Sequence, residues 1–388
     1  MPRPIAITAH TMTHAGGVGV ESTWQSLRSG TPATTAPPFA LDYDAVVGLV
    51  APELPKLPER WSEFDTRQAR LAWMSLEEIR PAIENARARW GGGRIGLILG
   101  TSNGGIDATE RTVATYLADP DRRRLAHLGT RHAFDAASRM IADECGLEGP
   151  SLVISTACSS SAKALASAQR WIESGWVDAV LVGAVDALTR LTCDGFRSLG
   201  LLSPSGCRPF DVARAGIHLG EGGAWLMLER DGDAPVDLLS VGESSDAHSM
   251  TAPHPEGLGA VAAMRAALDR AGVAPEEVDY VNAHGTGTEQ NDVTEALALR
   301  TVFAEVPAFG STKGTTGHLL GAAGGTEAVI AVEAIRRGEL PPTAGLSEVD
   351  PALGVQPLST LVVAPVRTVL SNSFAFGGSN ASVLLRAR

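Results

Sequence analysis

The chain has 388 residues, with 44 acidic and 32 basic side chains and a formal net charge of −12. That balance argues against a general nucleic-acid binder, and no uninterrupted apolar stretch reaches the roughly 18 residues of a membrane span. The length allows two or three domains, or one large compound one.

In chain order, the opening Met1-Pro2-Arg3-Pro4-Ile5-Ala6-Ile7-Thr8 has too short an apolar core for a signal peptide and reads as a first strand. Gly30 to Pro38 reads as a surface loop. Thr66 to Arg80 has helical periodicity, and Pro81 should stop or kink it. Arg94 to Gly100 reads as a buried strand. Leu152-Val153-Ile154 is a strand that enters Ser155-Thr156-Ala157-Cys158-Ser159-Ser160-Ser161, and a helix-favouring run, Ala162 to Arg170, leaves it. Ala179 to Gly183 and Ala224 to Leu228 are further strands; Gly259 to Ala271 and Thr326 to Arg337 are further helices. The alternation implies an α/β architecture.

The strand-turn-helix setting puts Cys158 at a helix N-terminus, where the dipole and free N–H groups stabilise a thiolate. Taken alone, it leaves a buried small hydrophobe equally open. Three later loops weigh on the choice: Asn282-Ala283-His284-Gly285-Thr286-Gly287-Thr288, Ser311-Thr312-Lys313-Gly314-Thr315-Thr316-Gly317-His318 before the small-residue helix Leu319 to Gly324, and Asn372-Ser373-Phe374-Ala375-Phe376-Gly377-Gly378-Ser379-Asn380. Each is rich in small and polar residues at a strand end, where functional groups are commonly held. Many of the 42 glycines fall in these loops, which speaks for close backbone approach. Cys145, Cys158, Cys193 and Cys207 show no CxxC spacing and suit a reduced cytoplasmic protein better than a disulfide scaffold or zinc site. Lys313-Gly314 lacks the Gly-Lys-Ser/Thr order of a phosphate loop, and nothing calls for a metal or nucleotide. The other seven histidines, His10, His14, His127, His132, His218, His248 and His254, read as core or surface residues.

From about Arg94 to the C-terminus these motifs resemble the β-ketoacyl-acyl-carrier-protein synthases of the type I/II elongating class. The resemblance implies a thiolase-like α/β fold, two similar halves in a layered αβαβα arrangement. Residues 1–235 would carry the nucleophilic Cys158, and residues 236–388 the two histidines and the Phe376 loop. A weak internal repeat, Gly220 to Leu228 against Gly377 to Leu385, agrees with it. The reaction implied is a decarboxylative Claisen condensation of an acyl-Cys158 thioester with malonyl-carrier protein, giving a 3-oxoacyl product in fatty-acid, polyketide or aryl-polyene elongation. His284 and His318 would stabilise the enolate. Lys313 would pair with Glu295 and hold the His318 environment positive. The N–H groups of Cys158 and Phe376 would form the oxyanion hole, with Phe376 also the acyl gate. Thr286, Thr288 and Thr251 match threonines along the pantetheine arm. Arg208 to Asp211 and Arg214 to Gly216 are also family-like and read as structural.

No cofactor is implied, because substrates arrive on the phosphopantetheine of an acyl carrier protein. The densest basic patch for docking that acidic partner is Arg122, Arg123 and Arg124, with Arg67 and Arg70 as neighbours; a solvated charge run is equally open. A homodimer is the default, with a heterodimer possible. Two other readings compete: a chain-length-factor type partner subunit, which would lack the nucleophile, and a coenzyme-A thiolase, which would need a second cysteine after Cys207. Thr156 to Lys163, Ser203 to Cys207 and Ala252 to Gly259 look similar to synthases of aryl-polyene pigment clusters, a narrower resemblance.

Overall fold

The computed structural model describes residues 4–51 and 53–388, so Met1 to Arg3 of the expected first strand lie outside it. Ten strands carry the architecture: β1 (Ile5–His14), β2 (Ile95–Gly100), β3 (Ser151–Ile154), β4 (Ala179–Asp186), β5 (Gly222–Glu229), β6 (Val236–Ser245), β7 (Tyr280–Asn282), β8 (Ala308–Gly310), β9 (Thr368–Ala375) and β10 (Ser379–Ala387). Their order across the sheet is β8-β7-β9-β10-β6-β1-β5-β4-β2-β3. In the first half, β3, β2 and β4 run parallel, and β5 and β1 follow antiparallel. In the second, β8, β7 and β9 run parallel, and β10 and β6 follow antiparallel. Counted from its own first strand, each half therefore has the same order and the same directions. The halves join where Ile5 and Ala6 of β1 pair with Leu238 and Asp237 of β6.

The principal helices are α1 (Val20–Ser29), α2 (Arg67–Leu76), α3 (Arg80–Trp90), α4 (Ile106–Ala118), α5 (Ala136–Cys145), α6 (Ser160–Glu173), α7 (Arg190–Ser198), α8 (Leu258–Ala271), α9 (Glu289–Val302) and α10 (Ala323–Arg337). Helices α6 and α10 pack on each other and on strands of both halves, forming the central layer. Helices α2, α3 and α5 cover the outer face of the first half, and α8 covers that of the second, with α9 packed on α8. This is the layered αβαβα thiolase-like arrangement. Gln169 of α6 shows how far the halves share a core: its amide donates to Leu239 O and accepts from Val241 N–H, both on β6.

Several elements depart from the sequence reading. The Thr66–Arg80 helix is two helices. Thr66 caps the first by accepting from the Ala69 N–H. A 3₁₀ turn, Glu77–Ile79, then leads into α3, which has Pro81 in its first turn. Proline begins a helix here because the N–H it lacks has no partner at that position anyway. The expected helix at Leu319 to Gly324 is one 3₁₀ turn, Leu320–Ala322, feeding directly into α10. Strand β1 continues to His14, since Thr11, Met12, Thr13 and His14 are all buried and threonine suits a pleated surface.

Candidate active site

Strand β3 ends at Ile154, and the chain must turn sharply to enter α6. Ala157 takes φ +51°, a left-handed value that an L-residue adopts only under constraint. The serines around it supply the constraint. Ser160 Oγ accepts from the Thr156 N–H and donates to Ala157 O. Ser159 Oγ donates to Thr156 O. Ser161 Oγ accepts from the Gly325 N–H at 2.7 Å, tying α6 to α10. Cys158 stands at the apex, 6% exposed.

The second half brings its groups from three loops at the ends of β7, β8 and β9. His284 follows β7, and its N–H donates to Glu295 Oε1 at 2.8 Å. The Gly285 N–H donates to Glu295 Oε2 at 2.7 Å. His318 follows the short Lys313–Thr316 helical turn and is clasped by backbone on both sides. Its N–H donates to His218 O, and its carbonyl accepts from the Gly220 N–H. The Leu320 N–H donates to His318 Nδ1 at 3.0 Å, so the ring proton of the neutral imidazole sits on Nε2. Cys158 Sγ and one nitrogen from each of His284 and His318 lie within 4.8 Å of one another. The rings meet edge to face, with centroids 5.6 Å apart.

Burial pushes both imidazoles well below the ordinary histidine value, and the Lys313 ammonium adds to the effect. Both are therefore neutral at pH 7. Burial pushes the Cys158 thiol up to about 11, with Lys313 and the N–H groups of Phe376 and Cys158 itself pulling the other way. Desolvation therefore works against the thiolate that the helix N-terminus and these donors favour. Both N–H groups nevertheless point at the sulfur, the geometry an oxyanion hole needs.

A cavity of about 470 Å³ opens onto these groups. Thr286, Thr288 and Thr251 line it, and the two loop threonines hydrogen-bond each other at 2.9 Å. Phe376 stacks on Phe196, centroids 5.6 Å apart. The left-handed residues of the loop are Gly377 and Gly378, at φ +77° and +70°. Ala375 has ordinary extended dihedrals, so a methyl group there costs nothing in this conformation.

Two assignments change. Lys313 donates to Glu327 of α10, not to Glu295, in an ion pair with both side chains buried. Glu295 instead orients the His284 loop through two backbone donors, and burial raises its carboxyl to about 7. A lone glutamate in the small-residue run Gly324-Gly325-Thr326-Glu327-Ala328 was the signal for the true partner. The basic patch also shrinks. Arg67 points inward onto the buried carboxylate of Glu221, at 2.5 and 2.7 Å. Arg70 is held by Asp65, Arg123 by Asp121 and Arg124 by Asp119. Arg122 is exposed. Arg67 is therefore turned away from a docking surface, while Arg70 stays partly exposed with its charge offset by Asp65. Arg214 pairs with Asp350 as the structural reading required, yet it also lines the cavity.

Residues 2–234 match the family description "Beta-ketoacyl synthase, N-terminal domain", and residues 237–347 its C-terminal counterpart. Nodulation protein E of Rhizobium meliloti is 35% identical over 98% of both chains. A 3-oxoacyl-[acyl-carrier-protein] synthase 2 of Coxiella burnetii is 32% identical over 99% of this chain and 98% of its own. Among solved structures, the ketosynthase ApeO in complex with its chain length factor ApeC from Xenorhabdus doucetiae has 39% identity and a TM-score of 0.92, covering 100% of this chain and 98% of that one.

The raised thiol value is open to direct measurement. Alkylation of Cys158 by iodoacetamide, followed by peptide mass, should keep accelerating beyond the ordinary thiol value of 9.0. A plateau below about pH 8 would mean a preformed thiolate.

Proposed function

The chain belongs to the β-ketoacyl synthase family, and from that premise we propose that it is a 3-oxoacyl-[acyl-carrier-protein] synthase with Cys158 as nucleophile. The observation that carries this reading is the meeting of Cys158, His284 and His318 within 4.8 Å at the floor of one cavity. In the first step the Cys158 sulfur attacks an acyl-pantetheine thioester, loses its proton, and releases the carrier thiol. In the second, malonyl-carrier protein loses carbon dioxide, and the resulting enolate attacks the acyl-Cys158 carbonyl. A carbon–carbon bond forms, the carbon–sulfur bond to Cys158 breaks, and the sulfur regains a proton.

The roles follow from charge. Each tetrahedral intermediate places an oxyanion where the Cys158 and Phe376 N–H groups converge. The enolate oxygen needs donors that are not already spent, and neutral imidazoles supply them; Nε2–H of His318 is fixed as one. Lys313, neutralised by Glu327, keeps the surroundings from becoming anionic. Thr286, Thr288 and Thr251 line the path of the pantetheine arm, and no further cofactor is required for these steps. Cys158 with both histidines favours a catalytic subunit over a chain-length partner. The last cysteine, Cys207, donates its thiol to Thr286 O and does not line the cavity, which disfavours a thiolase.

Partners follow from the same reading. The acyl carrier protein delivers both substrates. The sheet ends at β3, whose outer edge has no partner strand among the described residues and which leaves Leu152 41% exposed. An exposed apolar edge of this kind is a template for pairing with another chain. It supports a dimer, with a second copy or with a ketosynthase-like subunit as in the ApeO–ApeC complex. Four free, buried cysteines support a reducing, cytoplasmic setting. The aryl-polyene refinement rests on Ala252 and Pro253, which line the cavity. Ser159, Ser160 and Ser161 no longer support it, because they are spent inside the turn and do not reach the cavity.

Three sets of experiments test these statements. Cys158→Ala should fold yet gain no acyl mass from any acyl-carrier protein; a folded variant that still loads removes the nucleophile. His284→Ala and His318→Ala should slow decarboxylation by about 100-fold or more, the scale of a lost oxyanion donor, while loading suffers less. Parallel loss of loading and decarboxylation would end that division of labour. In the second experiment, Leu152→Arg should shift the protein toward a monomer in light scattering, and an unchanged assembly would place the interface elsewhere. In the third, saturated and conjugated acyl-carrier proteins of equal length compete. A shape-selective pocket should favour the conjugated chain by roughly 1–3 kcal/mol; equal use returns the enzyme to general elongation.

A further inference from the structure

Asp186 is the last residue of β4 and wholly buried, and its hydrogen-bond donors among the described residues are neutral groups. Its carboxylate collects five donor groups. Thr101 Oγ1 donates to Oδ1 at 2.6 Å, and the Asn103 N–H at 3.0 Å. The Ser102 N–H and hydroxyl both donate to Oδ2 at 2.9 Å. The fifth donor comes from the other half of the molecule: the Gly321 N–H reaches Oδ2 at 2.7 Å. Gly321 is the residue next to Leu320, whose N–H fixes the His318 tautomer.

Leu320 has φ +54°. A branched side chain holds a left-handed conformation only where its surroundings over-determine it. The bond from Gly321 to Asp186 is the constraint immediately beside it. Gly321 itself sits so close to the 101–102 backbone that a Cβ would lie 2.6 Å from Ser102 N and 2.8 Å from Asp186 Oδ2. The anion end of the bond is rigid, since β4 is paired along its whole length with β5 and as far as Ala184 with β2. The donor end lies at the start of the turn that opens α10, where unpaired N–H groups favour a negative charge.

We propose that Asp186 is a positioning residue for His318: by anchoring Gly321 it holds the Leu320 turn in its left-handed form, and so keeps the Leu320 N–H on Nδ1 and the proton on Nε2. Without that anchor the Leu320 turn relaxes, Nδ1 loses its donor, and the imidazole is free to carry its proton on Nδ1. Nε2 then presents a lone pair where the enolate oxygen needs a donor. Asp186 acts in decarboxylation without touching substrate. The inference rests on the reading of His318 as an enolate donor.

The test is a double-mutant cycle in the full-length protein with malonyl- and acyl-carrier protein. Asp186→Asn keeps the shape but replaces one acceptor oxygen by an amide. It should slow malonyl decarboxylation by about 10- to 100-fold, the scale of a small misplacement of a reacting group. Acyl loading of Cys158, read by intact mass, should stay close to wild type. In a His318→Ala background the same substitution should cost nothing further, because the group it positions is gone. Ser102→Ala removes the hydroxyl that donates to Oδ2 and that also accepts the Gly321 N–H at 3.3 Å, so it loosens the same anchor and carries the test if Asp186→Asn does not fold; it should give a smaller effect of the same pattern. A normal rate in Asp186→Asn beside a slow His318→Ala would overturn the proposal alone. So would an equal further loss in the His318→Ala background, or a parallel loss of loading. A normal rate in His318→Ala would overturn the reading of His318, and this proposal with it.

Discussion

The distance between α6 and α10 governs the site, and it is set by atoms that are missing. A Cβ on Gly324 would fall 2.9 Å from the Ala162 Cβ and 3.0 Å from its nitrogen. One on Gly325 would fall 2.5 Å from the Ala184 Cβ, and one on Gly100 would fall 2.4 Å from the Ser161 Cα. Real Cβ atoms do not approach so closely, so a larger residue at Gly324 would force the two helices apart, and one at Gly325 or Gly100 would lift α10 off β4 or α6 off β2. That approach lets Ser161 bond the Gly325 N–H directly. It also brings together two helix beginnings from different halves. Cys158 lies just before one, and the His318 turn runs into the other. The nucleophile and the histidines meet because the central layer is thin.

The same closeness creates the electrostatics. Cys158, His284, His318, Lys313, Glu327 and Glu295 are all buried in one region. Six ionisable groups cannot all be charged where water is scarce. The site resolves this with one ion pair, Lys313–Glu327, two neutral imidazoles, a thiol pushed up to about 11 and a Glu295 carboxyl raised to about 7. A buried pair of this kind contributes little net stability, yet removing one partner typically costs several kcal/mol, about 3–5. Its function is to supply positive potential without a bare cation beside the imidazoles.

Much of this was legible in the sequence, for identifiable reasons. Short apolar runs bounded by glycine, such as Arg94 to Gly100 and Ala179 to Gly183, mark buried parallel strands, and they proved to be such strands. The four loops around Cys158, His284, His318 and Phe376 stood out because small residues cluster where backbones approach. What failed was pairing. The resemblance implied Glu295 as the partner of Lys313, and Lys313 does act on it through space. The hydrogen-bonded partner, however, lies on α10, which is reached only through tertiary packing. The addition of Arg67 to the basic patch failed similarly, because its partner Glu221 is 154 residues away. Thr326 to Arg337 reads as a helix and is one, but Ala323 to Ile335 are buried without a break, so no exposed face reveals which side meets α6.

That unbroken burial bears on how the chain comes off the ribosome. The first half can assemble its five strands and α6 once β5 has been made. The face of α6 that meets α10 then has nothing to lie against until residue 337 is out, about a hundred residues later. At typical elongation speeds of roughly 5–20 residues per second, that is an interval of about 5–20 seconds. Throughout it, an alanine-rich apolar surface stands open on an otherwise organised half. Exposed apolar surface of this kind is aggregation-prone, and it is covered only once α10, which begins at the catalytic turn, and then β9 and β10 have been made.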